Sequence, residues 1–292
     1  MELASGYTLM HEHMSISLSP GDLGTDSFEY LCADLRMLKG WGVGNIVDLT
    51  NQSMGRDVDY VRKLSEETGI NIIMSTGYYL ESYLKQGFAD FIAKHTVAEL
   101  ADFSVRELTS GIGDTDVKAH VIGEIAWSGP EPSPLEMKAW DAMCEAALRT
   151  GAVVSTHASR GYQCFQQAED LVSRGINPRK VVIGHCEFCP KYESPEKLLA
   201  TGVCMGIDMI GKAGGQGDEY RADLVRTIKD MGYLSQVTLS LDLCRREDLR
   251  SAGGYGYAHL FETFLPMLKE RGITDGEIEL MLDATPRRVF AD

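Results

Sequence analysis

The chain has 292 residues, of which 44% are hydrophobic and 24% charged, the composition of a globular protein with a sizeable core. Its formal net charge of −15 argues against nucleic acid and anionic membranes as partners, because both call for clustered Lys and Arg. No apolar run reaches the length of a membrane span, the opening "MELASGYTL" has neither the basic nor the apolar region of a secretory signal, and seven scattered cysteines suit reduced thiols in a cytoplasm.

The first apolar run, "YTLMHEH" (7–13), ends in two histidines one residue apart. Residues i and i+2 of a strand share a face, so His11 and His13 converge while Glu12 turns away. "DSFEYLCADLRMLKGWG" follows with apolar residues at helical spacing and a glycine stop. The next runs are "NIVDLT" (45–50), "NIIMSTGY" (71–78) and "AHVIGEIA" (119–126). "SPLEMKAWDAMCEAALRTG" then reads as a helix with Ser133 as N-cap, Pro134 at the first position and Gly151 as its end. The remaining runs are "AVVSTHA" (152–158), "KVVIGHC" (180–186), "GVCMGID" (202–208) and "QVTLSLD" (236–242), with "SPEKLLATG" a short helix between the last three. Their length and β-branched content favour strands.

Strand and helix alternating eight times imply a parallel sheet with right-handed crossovers. In one chain of this length the pattern predicts a single α/β domain over residues 1–292, a (β/α)8 TIM barrel. The alternative, an open doubly wound sheet, lacks a glycine-rich fingerprint after the first strand. "HCEFC" sets Cys186 and Cys189 in a C-x-x-C spacing, but a zinc ribbon needs a second such pair and a thioredoxin-like motif a helix to open. The two are therefore read as ordinary thiols.

Barrel chemistry gathers at the carboxyl ends of the strands. Those ends carry His11 and His13 on the first strand and Glu124 on the fourth. His157, His185 and Asp242 end the fifth, sixth and eighth. His95, His120 and His259 fall elsewhere and are read as surface or internally satisfied histidines. Any one strand-end histidine is commonly a core residue; four of them with two carboxylates at one rim point to metal. Six ligands exceed the three of a catalytic zinc but divide between two divalent ions. His11, His13 and Asp242 would hold one, His157 and His185 the other, with Glu124 spanning both. Zinc is the expectation for a histidine-rich set, and manganese, cobalt or iron accept the same residue types.

"GYTLMHEH", "STHASR", "VIGHCE" and "LSLD" together resemble the amidohydrolase superfamily and, within it, the phosphotriesterase-like family. "EIAWS", "DMIGK" and "GGYGY" also resemble the subgroup called phosphotriesterase homology proteins. The resemblance covers nearly the whole chain, implies the same metal ligands, and implies a homodimer, since relatives are commonly dimers. Most members bridge their metals with a carboxylated lysine on the fourth strand. Here Glu124 takes that place, as in the homology-protein subgroup. Its shorter reach requires the backbone to advance, which a bulge at Gly123 would allow. True phosphotriesterases resemble one another in carrying a relay histidine after the seventh-strand aspartate; this chain reads Asp208, Met209, which puts phosphotriester hydrolysis as the native task in doubt.

The expected reaction is attack by a metal-bridging hydroxide on an ester carbonyl or phosphoryl group, with Asp242 as both ligand and general base. Lys212, Arg245 and Arg246 would line the mouth and clamp a phosphate or carboxylate, or else be solvated or paired with Glu247 and Asp248. Relatives that open phosphorylated sugar lactones carry a lysine and an arginine at similar places, and a tyrosine where this chain has Asp248. Tyr79 corresponds to a tyrosine placed near the lactone ring, with a packed aromatic as the other reading. The leading expectation is hydrolysis of a carboxylic ester or lactone, including one bearing a phosphate. Organophosphate ester hydrolysis and a metal-containing binding protein without turnover stand as alternatives.

Overall fold

Eight parallel strands pair in chain order: β1 (Tyr7–Glu12), β2 (Val43–Asp48), β3 (Asn71–Thr76), β4 (Val121–Trp127), β5 (Val153–Ala158), β6 (Val181–Gly184), β7 (Cys204–Ile207) and β8 (Val237–Leu239). The computed structural model describes residues 2–84, 86–161, 163–191, 194–212 and 216–291, with the side chains of residues 86, 160 and 189–191 outside that description. All eight expected strands are present, and the architecture is the (β/α)8 barrel. The ladders stop short of the expected ends at the carboxyl rim. His185, Asp208 and Asp242 lie just beyond β6, β7 and β8, where side chains take over from strand pairing.

The ring closes between β8 and β1 through one backbone bond and several bonds from backbone N–H groups to side chains. The Asp242 N–H donates to the His11 carbonyl at 3.2 Å, and the His11 N–H donates to Ser240 Oγ at 2.9 Å. The buried Glu12 carboxylate accepts the Leu241 N–H at 2.8 Å and the Leu243 N–H at 2.9 Å. Glu12 turns away from the two histidines in order to seal this seam. Glu12→Ala leaves two buried N–H groups unpaired, so the unfolding free energy should fall by roughly 2–6 kcal/mol. Glu12→Gln, which keeps one acceptor oxygen, should lose less; equal losses in chemical denaturation would refute the seam role.

The helix Pro134–Thr150 starts at Ser133 with a reciprocal capping box to Glu136 and ends at Gly151 in the left-handed conformation, as its sequence grammar predicts. The Glu136 carboxylate also accepts the Glu81 N–H at 3.1 Å and the Ser128 N–H at 3.3 Å, tying the loops after β3 and β4 to the helix. A large apolar cluster packs helices such as α1 (Phe28–Gly40) and α2 (Val58–Thr68) onto the sheet. A smaller one takes Met10, Val47, Ile73, Val121, Val153, Val182 and Cys204, one residue from each of β1 to β7, with Phe290 from the last helix. It fills the barrel below the rim. Among the described residues no helix is long and apolar enough to cross a membrane. Cys32, Cys144, Cys204 and Cys244 are free thiols, while the Cys189 side chain lies outside the described residues.

Candidate metal centre

The rim brings six expected ligands into one buried cluster. His11 Nε2 and His13 Nε2 face Glu124 at 3.4 Å from Oε1 and 3.8 Å from Oε2. His157 Nδ1 lies 2.5 Å and His185 Nε2 3.2 Å from the same Oε1. Asp242 Oδ1 is 3.2 Å from His13 Nε2 and 3.9 Å from His11 Nε2. Glu124 thus stands at the centre, in reach of all four imidazoles.

The local backbone explains how a glutamate gets there. The register of β4 against β5 slips between Ile122 and Ile125, so the irregularity expected at Gly123 is present. A Cβ on Gly123 would sit 2.9 Å from the Ser155 carbonyl oxygen, so only glycine lets β4 approach β5 this closely. The advanced backbone is held by the Glu124 N–H on the Leu49 carbonyl at 3.2 Å and by Asn51 Nδ2 on the Glu124 carbonyl at 3.1 Å. His185 and Asp242 have φ of 59° and 50°, a left-handed region that L side chains adopt at a cost of about 1–3 kcal/mol, and such positions concentrate at functional sites.

A second layer fixes the rings. His13 Nδ1 is 3.0 Å from Thr50 Oγ1, and His185 Nδ1 is 2.8 Å from Asp208 Oδ1. His11 Nδ1 is 3.0 Å from Asp208 Oδ2, a contact without hydrogen-bond geometry. Cβ atoms on Gly184 and Gly206 would lie 3.3 and 2.6 Å from Asp208 Oδ2, so two glycines make room for that carboxylate. His11, His185 and Asp208 are close enough to form a ligand group of their own. However, Asp208 faces the Nδ1 side of both rings while Glu124 faces their Nε2 side. An orienting carboxylate therefore describes it better than a third cage. Sequence reasoning passed over Asp208 and Thr50 as site residues, although both end apolar runs at the same rim and the rule that found the ligands applies to them.

The field of this cluster favours positive charge. Burial would raise the Glu124 carboxyl, but His157 and His11 outweigh it and hold it well below the carboxylate range. Burial would lower His11 and His185, yet Asp208 and Glu124 raise both, His185 to about 10. His157, where burial prevails over Glu124, is lowered.

The donor set fits divalent cations. His11 Nε2 is buried with no hydrogen-bond partner among the described residues, and the ring nitrogens of His157 and His185 approach to 2.9 Å. Ligand atoms sharing one tetrahedral ion with bonds of ~2.1 Å stand roughly 3.4 Å apart, close to most separations here. His11, His13 and Glu124 form one candidate group and Glu124, His157 and His185 another, with Asp242 in neither.

Metal uptake requires neutral imidazoles. Asp208 and Glu124 raise the folded pKa of His11 and His185, so metal uptake has to displace protons from the imidazoles. Loading should release protons, and apparent affinity should fall as pH falls. Calorimetry in buffers of different ionisation heat measures this, and a buffer-independent heat would contradict it.

Beside the cluster lies a cleft of about 190 Å³, lined among others by Ile16, Leu18, Met54, Tyr79 and Tyr83. Tyr79 arrives where expected, its hydroxyl 3.3 Å from His157 Nδ1. The three expected cations separate. Lys212 turns inward onto Asp242 Oδ2. Arg245 lines the cleft but is paired with Glu247 at 3.1 Å and Asp22 at 3.5 Å. Arg246 is not brought to the mouth: it pairs with Asp26 and donates to Ser27 Oγ at 3.0 Å, facing a separate recess beside Tyr30. Of the other histidines, His95 Nδ1 bonds the Phe91 carbonyl at 2.8 Å and His259 Nε2 meets Asp218 at 2.6 Å. His120 lines a recess with Val153 and Lys180, at the amino-terminal end of the barrel.

Residues 2–290 match the model of the phosphotriesterase family. The chain is 35% identical over 290 residues to the phosphotriesterase homology protein of Escherichia coli, covering 98% of each. The crystal structure of the phosphotriesterase homology protein from Escherichia coli, complexed with phosphate in its active site, superposes with a TM-score of 0.90 at 34% identity, covering 98% of this chain and 99% of that one. A mutant of a PTE-like lactonase from Deinococcus radiodurans gives a TM-score of 0.86 at 29% identity, covering 98% and 96%.

Proposed function

The chain belongs to the phosphotriesterase family, and from that membership we propose that it is a hydrolase using two divalent metal ions, zinc, to open a small uncharged carboxylic ester or lactone. The observation that carries this reading is the placement of one carboxylate, Glu124, against four imidazoles at the mouth of the barrel. Cations held by His11, His13, Glu124, His157, His185 and Asp242 would supply Lewis acidity and an acidified water.

The chain's own groups do the rest. Asp242 turns Oδ1 toward the ligand cluster and is the base that takes the proton. Burial, then the Glu124 charge, pushes the Tyr79 hydroxyl well above its usual range, so it stays protonated and donates a hydrogen bond to a substrate oxygen. Ile16, Leu18 and Met54 receive the carbon skeleton and exclude water.

Lys212, Arg245 and Arg246 each pair with a carboxylate of the chain itself. This supports an uncharged substrate over a phosphorylated lactone. Met209 in place of the relay histidine supports a carbon ester over a phosphotriester. The test is turnover by metal-analysed protein against lactones, carboxylic esters and aryl phosphotriesters. Turnover of lactones or esters is expected. Phosphotriester turnover alone would favour organophosphate hydrolysis, and inertness with tight ligand binding a non-catalytic binding protein.

A further inference from the structure

Asp242 divides its two oxygens. Oδ1 faces His13 and His11, whereas Oδ2 is taken by the Lys212 ammonium, which also lies 3.7 Å from Cys244 Sγ. Both side chains are nearly enclosed, 16% and 11% exposed, so this is a desolvated charge pair, and a carboxylate so gripped has little freedom to rotate.

Lys212 is itself held by a buried ionic network that the proposed chemistry does not otherwise use. It sits at the end of the turn Asp208–Lys212, whose Lys212 N–H returns to the Met209 carbonyl at 3.1 Å. Three buried or half-buried groups grip that turn from beneath. Glu187, just past β6, accepts the Met209 N–H at 2.8 Å. Asp218, in the helix Gly217–Asp230, accepts the Gly211 N–H at 3.1 Å. Arg221 of the same helix, with no exposed surface, reaches the Lys212 carbonyl at 3.4 Å. The groups also brace one another, with Arg221 2.7 Å from Asp218 and 3.4 Å from Glu187, and His259 2.6 Å from Asp218. Gly211 has φ of +87°, and a Cβ there would meet the Tyr255 ring at 2.5 Å, so the turn fits its bed only with glycine at that point. The "DMIGK", "HCE" and "GGYGY" stretches therefore meet in one construction.

We infer that Lys212 is a positioning residue, held by the Glu187–Arg221–Asp218 network, that locks the Asp242 carboxylate with Oδ1 toward the metal ligands. The inference rests on the reading of Asp242 as a ligand. It gives Lys212 a task distinct from gripping a substrate anion, and it explains why an arginine is fully buried under a loop. Removing an orienting partner of a metal ligand typically lowers metal affinity 10- to 100-fold.

Metal affinity of the whole protein, measured by chelator competition, and the visible spectrum of the cobalt-loaded form test this without recourse to turnover. In Lys212→Met, one of two bound ions should weaken by roughly 10- to 100-fold, with a changed cobalt spectrum. The other ion should stay as in wild type. Lys212→Arg should restore much of the loss. Gly211→Ala, which leaves every charge in place but displaces the turn, should reproduce the Lys212→Met spectrum. Wild-type affinity and spectrum in Lys212→Met, with KM alone raised, would overturn the inference and make Lys212 a substrate contact. Wild-type protein that binds no divalent metal would instead overturn the hydrolase reading, so the two failures are distinguishable.

Discussion

Glu124→Gln should reduce bound metal from two ions to one or fewer per chain and lower kcat/KM by about 10³-fold or more, ~4 kcal/mol of transition-state stabilisation. The Glu124 carboxylate stands within 4 Å of all four imidazoles. Its two oxygens face different partners, Oε2 toward His13 and Oε1 toward His157 and His185. An amide keeps one acceptor but turns two N–H groups and no charge toward the other side. It also removes the negative charge that helps to raise the pKa of His11 and His185 and that two cations would need. Glu124→Asp keeps the charge with a shorter reach and should fall between the two. Elemental analysis of purified protein checks this. Unchanged stoichiometry in Glu124→Gln would mean that another group bridges.

The second large effect is expected at Asp242. Asp242→Asn should cut kcat by about 10²- to 10⁴-fold, the range for a lost general base, with a smaller change in KM. The amide oxygen can still face His13, so metal should be partly retained, which separates this variant from Glu124→Gln. Burial would raise the Asp242 carboxyl, but Lys212 and the two histidines outweigh it and lower it. A depressed pKa keeps the group ionised down to acidic pH. The acid limb of the wild-type rate profile should therefore follow proton competition at the imidazoles, and an acid limb that moves in Asp242→Asn at constant metal content would contradict that.

The fold was legible because most strands are short β-branched runs and some of the intervening helices carry their own start and stop signals. Ser133, Pro134 and Gly151 did what their types dictate. The candidate ligands were legible because barrel topology brings strand ends together, so residues remote in sequence share one rim. Even the slip at Gly123 could be anticipated, since a glutamate in that place needs the backbone to advance. Charged side chains on the loops were another matter. Lys212, Arg245 and Arg246 are all long and flexible, and their direction depends on which carboxylate lies nearest in three dimensions. Asp242, Glu247 with Asp22, and Asp26 decided that, and no local pattern encodes those pairings. Glu12 shows the same limit from the other side. Alternation said that it turns away from the histidines, but only the closed ring reveals that it turns toward the N–H groups of Leu241 and Leu243.

An anomalous-scattering map from crystals of natively purified, chelator-free protein is the most direct test of the paired-cation site. Two peaks flanking the Glu124 carboxylate, each beside imidazole nitrogens from the His11, His13, His157 and His185 set, are the predicted result. A map with no peak among those side chains, from protein whose activity also survives exhaustive chelation, would contradict it.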